Sequence, residues 1–259
     1  MVLNRDRLEE LYNQWNRPEF ISPDPLETLT PYHDVRDREV AALFAASMAY
    51  GRVNALLPPL RRVLAVMGNS PADYVRERRE PDLVEDMQGI VHRFARPVHL
   101  AALSAGIGSV LRNRGSLEAL FLSGYASGGV WRGLKALESD LRGGAHGDPG
   151  HLLPDPALFS ACKRLHLFLR WMVRRDEVDP GGWTGADPAH LMLPLDTWTH
   201  RIALRAGWTE RKTADIRTVR EVSAALAELN PSDPVKYDFS LSRFGIRVGL
   251  NIDRLFTQS

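Results

Sequence analysis

LFSACKRLHLFLRWMVRR, residues 158–175, decides the fold class. At about 100° per residue, Leu165, Phe168, Leu169 and Met172 form apolar faces around Cys162. Lys163, His166, Arg170 and Arg174 fall on one stripe about 80° wide. Such a segment is an amphipathic helix rather than a strand. The same three- and four-residue spacing recurs outward along the chain, in LEELYNQW (8–15), REVAALFAASMAYG (38–51), VNALLPPLRRVLAVMG (53–68), PVHLAALSAGIGSVLRN (97–113) and VSAALAELN (222–230). Few stretches alternate with period two, and the fold class that follows is all-α.

Start signals agree with this. Ser70 precedes Pro71 at a first helical position, Ser116 precedes Leu117 with Glu118 in the first turn, and Ser232 or Asp233 can cap a last helix starting near Pro234. Two segments break the helical texture. Gly143–Pro156 holds four Gly and three Pro and reads as an exposed connection, either a boundary between two helical lobes or a long loop within one domain over 1–259. Asp179–Pro188 separates the 158–175 helix from the next.

Composition narrows the function classes. The 259 residues carry 33 Lys or Arg against 32 Asp or Glu, so a nucleic-acid partner would have to meet a local basic patch. A single cysteine, Cys162, rules out an internal disulfide framework and a cysteine-built zinc or iron–sulfur site. The histidines lack metal-ligand spacing, and Gly-rich phosphate loops and a GxSxG elbow are missing, so no cofactor and no metal are expected. The first fifteen residues have no apolar signal core, and the longest apolar run, Val40–Tyr50, is too short to span a bilayer. A cytoplasmic, monomeric chain without a membrane partner is the expectation.

Three features could carry chemistry. The stripe Lys163–His166–Arg170–Arg174 is either a solvated cationic face or the lining of an anion-binding cleft, with Lys163 in the apolar surroundings a nucleophilic lysine needs. Asp196 directly precedes the helical run TWTHRIALRAG and is a natural N-cap; a carboxylate fixed there can also face a developing cation. Between Arg201 and Arg220 lie six basic residues (Arg201, Arg205, Arg211, Lys212, Arg217, Arg220) and two acids, an ordinary solvated face or a phosphate-binding one.

ACKRLHLFLRWMVR (161–174), PLDTWTHRIA (194–203) and VKYDFSLSRFGI (235–246), with REVAALFAASMAYGRV and HRFARP in the first half, resemble an uncharacterised bacterial family related to the helix-hairpin-helix–GPD DNA glycosylases. Within that superfamily the chain is most similar to archaeal 8-oxoguanine DNA glycosylases, chiefly through Lys163 and Leu195-Asp196-Thr197. The sequence departs from the superfamily in two places. LFSACK stands where a Leu-Pro-Gly-Val-Gly hairpin is usual, and Trp198-Thr199 where His-Val is more common.

The resemblance implies a two-lobed helical glycosylase fold with the active site between lobes, and base-excision repair of duplex DNA. Lys163 would attack the sugar to form a Schiff base, with β-lyase activity, and Asp196 would offset the developing charge. The excised base would be a damaged purine, 8-oxoguanine in the first instance, flipped into a pocket. Tyr50, Trp183 and Trp198 are the candidate stacking faces; Tyr50-Gly51-Arg52 and Arg93 would face the DNA near the flipped base. His166, Arg170, His200, Arg201, Arg211 and Lys212 complete the candidate DNA or pocket contacts. The trio Lys236-Tyr237-Asp238 recurs in the family and reads as a helix cap and surface pair. Two other classes share these features: a non-catalytic DNA- or RNA-binding helical protein, and an N-glycosidase acting on a nucleoside or modified RNA.

Overall fold

After a charged first turn, α2 (Val35–Ser47) is buried on every side, with each residue from Glu39 to Ser47 covered. A stretch with no face to solvent is surrounded, and α2 is the axis of the fold. In the computed structural model, which describes residues 3–145, 147–247 and 250–256, it packs against α4 (Pro71–Glu77) and α8 (Lys163–Val173). The remaining helices are α1 (Arg5–Trp15), α3 (Val53–Met67), α5 (Glu80–Asp86), α6 (Pro97–Arg114), α7 (Leu117–Gly143), α9 (Thr197–Ala206), α10 (Ile216–Leu229) and α11 (Asp238–Ile246). Among the described residues there is no strand, and no helix is long and apolar enough to cross a membrane.

Helix starts follow side-chain chemistry. Asn4, Asp34, Ser116, Asp196 and Asp215 each accept hydrogen bonds from amides of the first turn they precede, satisfying donors that have no intrahelical partner. Two expected boundaries shift. The helix read over 158–175 begins only at Lys163, because Cys162 adopts a left-handed φ of 44° and Phe159–Ser160 pairs its backbone with 215–216. The last helix begins at Asp238 rather than near Pro234, since Asp233 turns to Arg174 at 2.9 Å instead of capping.

Buried side chains form two large clusters. The first draws on α2, α3, α6, α7 and α8; the second joins Leu3, Leu8 and Leu11 to residues of 193–256 such as Leu195, Ile202, Val222 and Phe244. Leu152 and Leu153 of the 143–156 segment lie in the first cluster; most of the second begins at Leu193, with Ala161 also in the second and Val235 and Phe239 in the first. The two clusters are tied by a buried ion network. From α8, Arg170 donates to Asp179 (2.9 and 3.1 Å) and to Asp238 of α11 (2.5 Å). Arg174 donates to Asp176 (2.8 Å), Asp233 (2.9 Å) and Asp179.

Another buried carboxylate acts inside the first cluster. Glu39, with no exposed surface, accepts from the Leu117 and Glu118 amides at the start of α7 and from the Trp183 indole N–H (3.0, 3.3 and 3.0 Å). It caps a helix 78 residues away in sequence. Removing it leaves three donors without their acceptor, so Glu39→Ala is expected to cost about 3 kcal/mol in urea denaturation. A loss below about 1 kcal/mol would mean that water replaces the carboxylate.

Candidate active site

Lys163 is the first residue of α8, and Asp196 caps α9. The two helices meet so that Lys163 Nζ lies 3.4 Å from Asp196 Oδ2. The cap divides the labour of the carboxylate. Oδ1 accepts from the Trp198 and Thr199 amides (2.8 and 2.9 Å), while the Thr199 hydroxyl accepts from the Asp196 amide at 2.8 Å. Oδ2 is left for the amine. A carboxylate fixed at one oxygen and presented at the other can accept a proton from the amine or face a positive charge beside it.

The pair opens into a cleft of about 360 Å³ lined by residues of the first cluster and by residues at the starts of α9 and α11 and the end of α11. Ala49, Val53, Leu56 and Leu167 form one side, and Pro194, Trp198 and Ile246 the other. Trp198 is 38 % exposed and packs over Gly245 of α11, where a Cβ would overlap the indole. Arg170 and Asp238 lie in the lining although each is nearly fully buried. Burial pushes the Asp238 carboxyl above the usual carboxylate range, against the pull of Arg170. Cys162, adjacent to Lys163, is buried and pushed up to about 11 by desolvation, so at neutral pH it is a thiol, not a thiolate nucleophile.

At the edge of the cleft, His92 and Ala95 exchange both backbone hydrogen bonds (3.0 and 2.9 Å) and close a hairpin with Arg93 and Phe94 at its tip. Arg93 holds a left-handed φ of 52° and lies over Gly51, a lining residue. Phe94 is 61 % exposed, its outward position backed by His151, which packs in turn on Tyr50.

The other sequence candidates fall into three groups. Arg52 lines the cleft and is exposed; Arg201 and Lys212 are exposed as well, Arg201 with its guanidinium 5.1 Å from the Trp198 ring centroid. Tyr50 is half-buried, donates to the His92 carbonyl at 2.9 Å and sits under Arg164, so its ring supports the hairpin. His200 is buried with Nε2 2.7 Å from the Arg211 carbonyl, and Arg211 itself is held by Asp215 (2.6 Å) and Thr218 (3.0 Å). These bonds fix the turn between α9 and α10. Trp183 is likewise committed, to Glu39.

The stripe of α8 is the largest departure. Lys163 alone is open; Arg170 and Arg174 are consumed by the buried ion network, and His166 is buried with neither ring nitrogen hydrogen-bonded. The charges face inward because Asp176, Asp179, Asp233 and Asp238 meet them from other segments. The trio Lys236-Tyr237-Asp238 also gains a physical role. Lys236 and Tyr237 bind Glu9 of α1 (2.8 and 2.6 Å), and Asp238 binds Arg170. Asp238, Gly245 and Phe94 were not singled out as site residues by the sequence. Only the trio and the HRF segment gave any signal.

Residues 24–247 match a family model described as "Protein of unknown function (DUF2400)". No curated protein and no solved structure matches the chain.

His166 makes the acid limb of stability readable. Desolvation lowers its pKa from 6.5 to about 3, so the folded state keeps a neutral ring while the unfolded chain protonates below about 6.5. The histidine therefore weakens the fold progressively as pH falls from about 6.5 toward 3. The stability of wild type relative to His166→Leu is expected to drop by about 1.6 kcal/mol between pH 6.5 and 5, approaching 1.36 kcal/mol per unit at the acid end. A difference that stays constant with pH in urea titrations would show that the ring is protonated in the folded protein.

Proposed function

The chain belongs to the DUF2400 family, and we propose that it is a lysine-dependent DNA glycosylase with β-lyase activity that excises a damaged purine, 8-oxoguanine in the first instance, from duplex DNA. One observation carries the reading: an amine and a cap-fixed carboxylate, 3.4 Å apart, stand in a cleft with apolar walls. That is the arrangement needed for displacement at a sugar carbon that becomes cationic. The division of the buried side chains into two large clusters supports a two-lobed glycosylase-like architecture.

The chemistry follows from these groups. Asp196 Oδ2 takes a proton from the Lys163 ammonium, and the freed amine attacks C1′ of the extruded nucleotide. The N-glycosidic bond breaks, and the base leaves with its electron pair and gains a proton. Charge that builds on the sugar during this step faces the Asp196 carboxylate. Ring opening then transfers a proton from nitrogen to O4′ and yields a protonated imine between Nζ and C1′. Loss of a C2′ proton expels the 3′ phosphate and cleaves the strand; water finally releases the lysine.

Duplex DNA must be bent or opened for a nucleotide to reach the cleft. The exposed Phe94 at the hairpin tip is suited to fill the stack, with Arg93, Arg52 and Arg201 available to phosphates. These side chains substitute for the backbone-amide grip of the missing hairpin motif.

Borohydride trapping tests the reading on duplexes carrying 8-oxoguanine, uracil, hypoxanthine or an abasic site. Hydride reduces the imine to a stable amine, so a lesion-dependent covalent complex is expected with wild type and none with Lys163→Gln. Asp196→Asn should slow excision by about 100-fold. Equal trapping by Lys163→Gln would remove Lys163 from the role, and duplex binding with no adduct on any lesion would favour the non-catalytic nucleic-acid-binding alternative. Phe94→Ala should raise the Kd for lesion duplex about tenfold, as loss of one stacking face predicts; unchanged affinity would place the DNA elsewhere.

A further inference from the structure

Asp238 is 4 % exposed, yet it lines the cleft that holds Lys163 and Asp196. Its Oδ2 accepts from Arg170 Nη1 at 2.5 Å. Among the described residues no side chain or amide donates to Oδ1, and Asp238 is part of the cleft lining. Burying a carboxylate is costly, and leaving half of it unpaired more so, unless a ligand supplies the missing donor. Arg170 cannot turn to supply it, because its Nε and Nη2 are both committed to Asp179 (3.1 and 2.9 Å). The result is a rigid hydrogen-bond acceptor in the cleft lining, between apolar walls.

We propose that Asp238 reads the edge of the bound base and selects rings that present an imino N–H, the lactam edge of guanine- and hypoxanthine-type bases. An amidine edge, as in adenine-type bases, offers a ring-nitrogen lone pair at that position and meets the carboxylate oxygen lone pair to lone pair. This inference rests on the glycosylase reading of the cleft, since it needs a base extruded into it. Asp238 touches the base and not the sugar, so it sets which base is held and takes no part in the displacement.

Binding without chemistry tests it. The Lys163→Gln protein is titrated with duplexes that carry one 8-oxoguanine, one 8-oxoadenine or one abasic-site analogue. These two lesions share the five-membered ring modification and differ at the six-membered edge. The expected result is an 8-oxoguanine Kd at least tenfold below that of 8-oxoadenine. Asp238→Asn, paired with Lys163→Gln, should abolish or reverse that preference while leaving the abasic affinity unchanged. The asparagine carbonyl can keep the Arg170 contact and turn its amide N–H₂, a donor, toward the cleft. Equal affinity for the two lesions, or a preference that survives Asp238→Asn, overturns the proposal. Should the double variant fail to fold, the comparison of the two lesions on the Asp238 protein decides alone. Trapping by wild type without an edge preference would retain the glycosylase and reject Asp238 as the reader; a preference without trapping would do the reverse.

Discussion

Two arginines on α8, Arg170 and Arg174, hold the molecule together where it would otherwise divide. Their guanidinium groups sit between the two apolar clusters and engage four carboxylates drawn from three segments, Asp176 and Asp179, Asp233, and Asp238. Ion pairs this buried gain little over a well-packed apolar core, because desolvation consumes much of the attraction. What they contribute is geometry. A guanidinium with its donors directed at fixed carboxylates allows one arrangement of α8 against α11, whereas apolar surfaces tolerate sliding. The position of Lys163, seven residues before Arg170 on the same helix, is thereby set relative to α9 and the cleft.

Asp196 shows how one carboxylate can cap a helix and still present an oxygen to a neighbouring amine. One oxygen satisfies the start of α9, which fixes the rotamer; the other faces Lys163. Helix capping is normally a matter of stability alone. Here it preorganises a carboxylate without spending a further residue on its orientation. Asp238 also has one oxygen anchored, to Arg170, and belongs to the cleft lining.

The helices and their caps at Ser116 and Asp196 were legible because they depend on neighbours within four residues. The Lys163–Asp196 pairing was legible only through family resemblance, since nothing in the spacing of the two residues brings them together. The α8 stripe illustrates the limit. Its angular arithmetic was sound, for the four side chains do share a face, but periodicity does not say whether a charged face meets water or carboxylates. Asp233 and Asp238, far along the chain, decide that. The false extension of the helix back to Leu158 has a similar cause: its apolar spacing suits a helix, yet backbone pairing of Phe159–Ser160 with the start of α10 claims those residues first.

The second core carries a consequence for biosynthesis. It draws on residues 3–11 and on residues from 193 to 256, so nearly two hundred positions separate its two parts. The first core spans largely contiguous helices and can consolidate while the ribosome is still translating the remainder. During that interval Leu8 and Leu11 on α1 have no apolar surface of their own cluster to cover them. Their partners include the residues around α11, where Lys236 and Tyr237 bind Glu9 of α1. A nascent chain therefore cannot complete its second core until nearly all of its residues have been synthesised, although the first residues of that core are the earliest to emerge.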